Sequence, residues 1–358
     1  MVTDNKMYQL GRLKIRTIWI IGLGLLLGLF SSYPDIKKFV TDYPGAWYVV
    51  HMQSNDLLFD GNYAEKLHEY KMRYRPTGPI IAKLSPVKTL KGHKIFLQGI
   101  MFLLGLIAMY LSLNWMRKIF QDDLTTVAFF FAFWMSQLSQ SFFSDYTGFL
   151  DAFGFFGLLV CLVSRNPIII FIGACIAFWT DERAIISSFI LFLFYSLHTD
   201  FKIDFSNIFN KKSIALMLAI LVYLPLRFFV FTTLFKDPGL DLSTIGLPLL
   251  SYNMKVFHKS VTVFFGVWPL ILFPVWYFYK RKLTPGLFIY STLLAGNIFG
   301  AFLVSDLNRS LGYVFPFVLF SFACLAHWAA NLEKEQIRKI AFMTFAASFL
   351  LVLVAKLF

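Results

Sequence analysis

Apolar runs long enough to cross a bilayer recur along almost the whole chain, and this restricts the fold more than any other feature. A helix needs roughly 20 apolar residues to cross about 30 Å of hydrocarbon. Such runs are read at 13–32, 95–114, 124–143, 147–163, 167–180, 184–198, 213–234, 260–279, 285–304, 310–330 and 339–357. That makes about eleven helices, between roughly nine and thirteen, because the fourth, fifth and sixth are short and closely spaced. The runs are continuous rather than alternating in polarity, which selects helices over a transmembrane barrel. Composition agrees: 58% of the 358 residues are hydrophobic and 15% are charged, against about a quarter charged in soluble domains. The expected fold is all-α, a polytopic integral membrane protein built as one transmembrane domain over residues 1–358.

The net charge of +13 is distributed in a way that argues for a membrane and against nucleic acid. Basic residues gather at alternate helix ends: the N-terminus, Arg117-Lys118, Arg165, Lys211-Lys212, Lys280-Arg281-Lys282, then Lys334, Arg338 and Lys339. The positive-inside rule makes these ends cytoplasmic, with membrane lipids as the default partner. The N-terminus is then cytoplasmic, residues 33–94 form a long first extracytoplasmic loop, and 235–259 form a second, smaller one. The apolar stretch from Ile18 to Phe30 ends in Ser31-Ser32-Tyr33-Pro34 without a small-x-small cleavage site, so an uncleaved anchor is expected. Cys161, Cys175 and Cys324 fall within spans and lack metal-ligand spacing, which suits packing residues. His51, His68 and His93 likewise carry no zinc signature.

Loop one carries signals for short amphipathic helices. Asn62 and Glu65 open a segment with Tyr63, Leu67, Tyr70 and Tyr74 at helical spacing, and a second helix is expected over 46–55 after Pro44. Pro76-Thr77-Gly78-Pro79 then redirects the chain towards the second span.

Three compact acidic or acid-base groups sit at later outward turns. Asp145 lies near a helix start, where capping alone would account for it. Asp151, read as one or two turns inside the following helix, is costly in an apolar span unless it meets a partner or a polar cavity. Asp181-Glu182-Arg183 forms either a hydrated turn with an internal ion pair or a phosphate site, since a guanidinium offers a fork of donors that matches phosphate oxygens. Asp306, Arg309 and Tyr313 follow, with an Asp306–Arg309 helical pair as the plain structural alternative. Arg227 in the seventh span either snorkels or binds a lipid phosphate. No phosphate-binding glycine loop and no large cytoplasmic domain is visible, which weakens any nucleotide-driven mechanism.

Thr41-Asp42-Tyr43-Pro44-Gly45-Ala46-Trp47-Tyr48, with Gly61-Asn62-Tyr63 and Tyr74-Arg75-Pro76, resembles the first loop of GT-C superfamily membrane glycosyltransferases. The similarity is to the bacterial polyprenyl-phosphate-sugar-dependent, mannosyltransferase-like branch. It covers about the first third of the chain in detail and the rest only as a hydropathy pattern. The form Asp306-x-x-Arg309-Ser310-x-x-Tyr313-x-x-Pro316 also resembles a late motif of these enzymes. The resemblance implies a glycosyltransferase of the bacterial inner membrane with an extracytoplasmic site. It would move a sugar from a polyprenyl-phosphate carrier to a glycan, lipid or protein acceptor.

In that scheme Asp42 is the base that deprotonates the acceptor, against its reading as an ordinary cap before Pro44. Asp35, Asp56 and Asp60 are its rivals. Arg183 and Arg309 neutralise the departing phosphate, and Asp145 or Asp151 supports the acceptor or the base. No cofactor is required, although the carboxylates of Asp181, Glu182 and Asp306 leave room for a divalent cation. A lipid-linked glycan polymerase or ligase, and a transporter or flippase with Asp151 and Arg227 along a passage, are the competing readings.

Overall fold

The structure, a computed structural model, describes residues 5–32, 38, 45–59, 74–198, 200–234, 246–304, 306–330 and 334–357. These residues form helices and no strands, apart from one isolated bridge between Leu197 and Ile203. The first half runs α1 (Asn5–Ser32), α2 (Gly45–Asn55), α3 (Thr77–Ala82), α4 (Leu90–Phe120), α5 (Asp123–Trp134), α6 (Gln137–Phe143), α7 (Asp151–Val163), α8 (Pro167–Thr180) and α9 (Arg183–Ser196). The second half runs α10 (Lys211–Phe229), α11 (Leu247–Val256), α12 (Trp268–Ile271), α13 (Phe273–Lys280), α14 (Thr284–Phe302), α15 (Leu307–Gly312), α16 (Phe315–Ala329) and α17 (Lys334–Leu357).

Among the described residues, five segments are long and apolar enough to cross a membrane: Leu90–Phe120, Lys211–Leu234, Thr284–Phe302, Leu307–Ala329 and Lys334–Lys356. Shorter apolar helices occupy Arg16–Ser32, Asp123–Trp134, Asp151–Val163, Pro167–Thr180 and Arg183–Ser196. Two of the expected spans are broken. The run 124–143 divides at Met135-Ser136 into α5 and α6, where Gly28 of α1 packs against the Trp134 carbonyl and Ser139. The run 260–279 becomes 3-10 turns followed by α12 and α13, and Pro269 and Pro274 each lie in the first turn of the helix they open, where the missing backbone donor is not needed.

Side-chain bonds define the two ends of the bundle. At one end Arg117 donates to Thr17 at 2.7 Å, and Arg338 grips Asp122 through two hydrogen bonds of 3.1 and 2.6 Å. The middle of α1 at Thr17, the end of α4 and the starts of α5 and α17 therefore share that end. At the other end Ser31, Gln140, Tyr146, Asp306, Arg309 and Lys356 line one cavity. Between them, α16 is buried over nearly its whole length, and its Phe322 ring packs on Phe129 with centroids 5.0 Å apart. Ile18, Trp19, Phe228, Phe288 and Met343 point outward as exposed apolar side chains, as a lipid-facing surface requires.

Loop one contributes α2 where the sequence predicts a helix at 46–55, but this helix is packed rather than surface-lying. Ala46, Trp47, Val49, Val50, Gln53 and Ser54 are all buried. The expected helix after Asn62 lies outside the described residues. In the smaller loop, Leu247–Val256 is helical.

The α7–α8 hairpin depends on small residues. A Cβ on Gly157 would collide with the Gly173 carbonyl and press on Ala177, so the two backbones touch at this crossing. Gly157→Leu is expected to destabilise the bundle by about 1–3 kcal/mol, read as a lower melting temperature in detergent. Gly22→Leu, at a position with nothing within 4 Å of the added carbon, should leave the melting temperature unchanged. Equal melting temperatures for the two variants would contradict the tight crossing.

Candidate functional site

The site begins with a turn that decides where α7 starts. The Asp145 carboxylate accepts from the Thr147 amide (2.9 Å), the Thr147 hydroxyl (2.5 Å), the Gly148 amide (3.1 Å) and the Leu150 amide (2.9 Å). Gly148 (φ 81°) and Leu150 (φ 63°) take left-handed conformations. The Trp47 ring also lies so close to Gly148 that a Cβ there would stand 2.9 Å from it. Trp47 of α2 donates its indole N–H to the Tyr146 carbonyl at 2.9 Å, which ties loop one to this turn. The helix expected from 147 therefore begins only at Asp151, and Asp151 is its first residue rather than an interior one. The left-handed residues at 148 and 150 prevent an earlier start. Asp151 accordingly sits at the positive end of the helix dipole.

Around Asp151 the three groups from distant turns converge. Arg309 of α15 holds Asp151 through two parallel bonds, Nε to Oδ2 at 2.6 Å and Nη2 to Oδ1 at 2.9 Å. Its Nη1 donates to Asp306 at 2.8 Å, and its Nη2 lies 3.5 Å from Asp181. The Tyr313 hydroxyl donates to Asp151 at 3.1 Å, and the Phe149 ring lies 3.6 Å from the Arg309 guanidinium carbon. Arg183 grips Asp181 with Nε at 2.7 Å and also with Nη2, donates to Ser310 at 2.7 Å, and lies 4.0 Å from Asp151.

Arg75, which enters from the segment just before α3, pairs with Asp181 at 2.9 Å and Glu182 at 3.1 Å. Arg227 lies 3.8 Å from Glu182, donates to the Tyr74 carbonyl and stacks over the Tyr74 ring at 4.8 Å. It thus joins the cluster rather than snorkelling. Behind it, Ser187 donates to the Tyr313 carbonyl at 2.6 Å and fixes α9 against the α15–α16 junction.

Among the described residues, four arginines (75, 183, 227, 309) face four carboxylates (151, 181, 182, 306). Such balance is what an apolar bundle demands, since an uncompensated charge there is costly. Burial of Asp181 opposes its ionisation, but Arg183 and Arg75 beside it hold the carboxyl well below the usual carboxylate range. Burial likewise opposes the charge on Arg75, and Asp181 with Glu182 more than offsets this, so its pKa is raised. Asp145, by contrast, is pushed up by burial against the Thr147 hydroxyl and the Leu150 amide.

The partners differ in access. Asp181 is fully buried at 0% exposure, whereas the Asp306 side chain is 31% exposed. Asp306 and Arg309 together line a cavity of about 420 Å³ with Tyr146, Thr147, Gln137 and Asn308. They also line a second cavity of about 230 Å³ beside Tyr252 and Asn253. Arg309 therefore forms part of the wall of both cavities, whereas Arg183, bound to Asp181 and Ser310, lines neither.

Asp145, Asp151, Asp181, Glu182, Arg183, Asp306, Arg309 and Tyr313 thus gather at one end of the bundle. Asp42 lies outside the described residues, as do Asp35 and Asp60, while Asp56 accepts from the Leu58 amide in an exposed turn. No group of three or more His, Cys, Asp or Glu side chains able to hold a metal occurs among the described residues. Sequence reasoning passed over Arg75. Its only signal was a cation set between aromatic and proline residues immediately before an apolar stretch. Comparisons with family models, with curated proteins and with solved structures find no match to this chain.

The depressed pKa of Asp181 fixes the sign of a pH effect. Its contribution to stability is complete above the unfolded carboxylate pKa of about 3.9 and is lost as the pH falls towards the lower folded value. The melting-temperature difference between the wild type and Asp181→Asn, measured in detergent, should be constant from pH 8 to about pH 5 and shrink below about pH 4. Asp181→Asn should melt lower at neutral pH and converge on the wild type in acid. A gap between the two that closed already between pH 7 and 5 would contradict a carboxylate held ionised by its arginines.

Proposed function

We propose that this chain is a membrane glycosyltransferase that moves a sugar from a polyprenyl-phosphate-linked donor to a glycan, lipid or protein acceptor. The reaction would take place on the extracytoplasmic side of a bacterial inner membrane. The observation that carries this reading is Arg309, anchored by Asp151 and standing at the wall of a polar cavity at one end of an otherwise apolar bundle. The resemblance of loop one and of the 306–316 motif to GT-C enzymes supports the same chemistry.

In the proposed reaction the acceptor hydroxyl passes its proton to Asp42 as its oxygen forms a bond to the anomeric carbon. The bond from that carbon to the phosphate oxygen breaks, and the polyprenyl phosphate leaves with the electron pair. Arg309 neutralises the phosphate, with the partly exposed Asp306 giving up Nη1 to it, because guanidinium and phosphate match as a fork. Arg183, Arg75 and Asp181 hold Arg309 and Asp151 in place. Asp151 and Arg227, which a transporter would need along a passage, both belong to this cluster at one end.

The test is sugar transfer by purified protein from synthetic polyprenyl-phosphate sugars, mannose first. Asp42→Asn is expected to lose about 100-fold or more in rate and Arg309→Lys a comparable amount, with both variants monodisperse in detergent. Asp122→Asn, at the far end of the bundle, should lose little. Full activity of Asp42→Asn would remove Asp42 as the base, and absence of transfer by the wild type from every such donor would refute the reading.

A further inference from the structure

The opposite end of the bundle carries a second, unrelated pocket. About 170 Å³ of space is enclosed by Trp276 and Tyr277 of α13, Lys280 and Arg281 at its end, and Trp328 of α16. The walls are rigid. Trp276 and Trp328 meet edge to face with centroids 5.5 Å apart, Phe273 backs Trp328 at 5.6 Å, and the buried Tyr277 hydroxyl shares a 2.7 Å hydrogen bond with His327. We infer that this pocket binds the phosphate headgroup of an anionic phospholipid.

Three observations select that ligand. First, the cations at the rim have no acidic partner: none of Lys280, Arg281 and Lys282 forms an ion pair with a carboxylate among the described residues. The acidic side chain of the adjoining turn, Asp200, is occupied by Lys202 at 3.1 Å and by His198 at 3.4 Å. Among the described residues the rim therefore offers an anion positive charge that no carboxylate pairs with.

Second, the pocket sits where helices end. Lys280 closes α13, and α16 stops at Ala329, shortly before α17 begins at Lys334 and presents the Arg338 that grips Asp122. Tryptophan and tyrosine beside lysine and arginine at such a level form the interfacial belt of membrane proteins. Third, Leu272, Trp276 and Tyr279, spaced i, i+4 and i+7, are all exposed and form an apolar strip that runs up to the pocket. A free anion has no use for that strip, whereas an acyl chain would lie along it with its phosphate between Lys280 and Arg281.

The test uses the full chain in detergent, titrated with phosphatidylglycerol or phosphatidylcholine and followed by melting temperature and by lipid retention in native mass spectrometry. Phosphatidylglycerol should raise the melting temperature and stay bound, and phosphatidylcholine should do neither. Lys280→Ala/Arg281→Ala should weaken the phosphatidylglycerol effect by about 30-fold in concentration. Trp276→Leu should weaken it without any change of charge. Lys91→Ala/Lys118→Ala, which removes the same charge elsewhere, should retain it. A shift that survives Lys280→Ala/Arg281→Ala, is lost equally in the control pair, or is reproduced by inorganic phosphate would overturn the assignment.

Discussion

Asp151 and Arg309 meet through two parallel hydrogen bonds of 2.6 and 2.9 Å inside an apolar bundle, and Asp181, Arg183 and Asp306 are arranged around this pair. Neither ion could be tolerated there alone. Removing one partner of a buried pair typically costs about 3–5 kcal/mol, because the other is left uncompensated. The pair joins the start of α7 to α15, and Asp181 with Arg183 and Arg75 brings in the α8–α9 turn and the end of loop one. Four stretches of chain far apart in sequence are thereby fastened at one point.

The same arrangement places Arg309 on the walls of two cavities. Asp181 is sealed, but Asp306 is partly exposed and borders both cavities with Arg309. A guanidinium fixed on one side by a buried carboxylate and on the other by an exchangeable one is prepared for an anion at low reorganisation cost. That preparation is why the proposed transfer assigns the phosphate to Arg309 and a positioning role to Arg183.

Much of this was legible in the sequence. Ionisable residues at the edges of apolar runs have to find partners, and Asp151, Asp181, Arg183, Asp306 and Arg309 do find one another. The 260–279 run reads as one span in the sequence, yet it is divided into 3-10 turns and two short helices. Other features depend on contacts between distant segments. Arg75 has no periodic or motif signal that names Asp181 and Glu182 as its partners. The late start of α7 comes from four hydrogen bonds converging on Asp145, and the packed rather than surface-lying α2 depends on Trp47 reaching Tyr146. A single sequence records residue types at these places but not which segments will meet.

The most direct test is a double-mutant cycle on the central pair, with Asp151→Asn, Arg309→Gln and their combination compared by unfolding in detergent. If the bidentate pair anchors the cluster, each single variant loses about 3–5 kcal/mol, the double variant loses little more, and the coupling between the two positions is about 3 kcal/mol or larger. Losses that simply add, within about 0.5 kcal/mol, would show that the two residues act independently and would contradict the account.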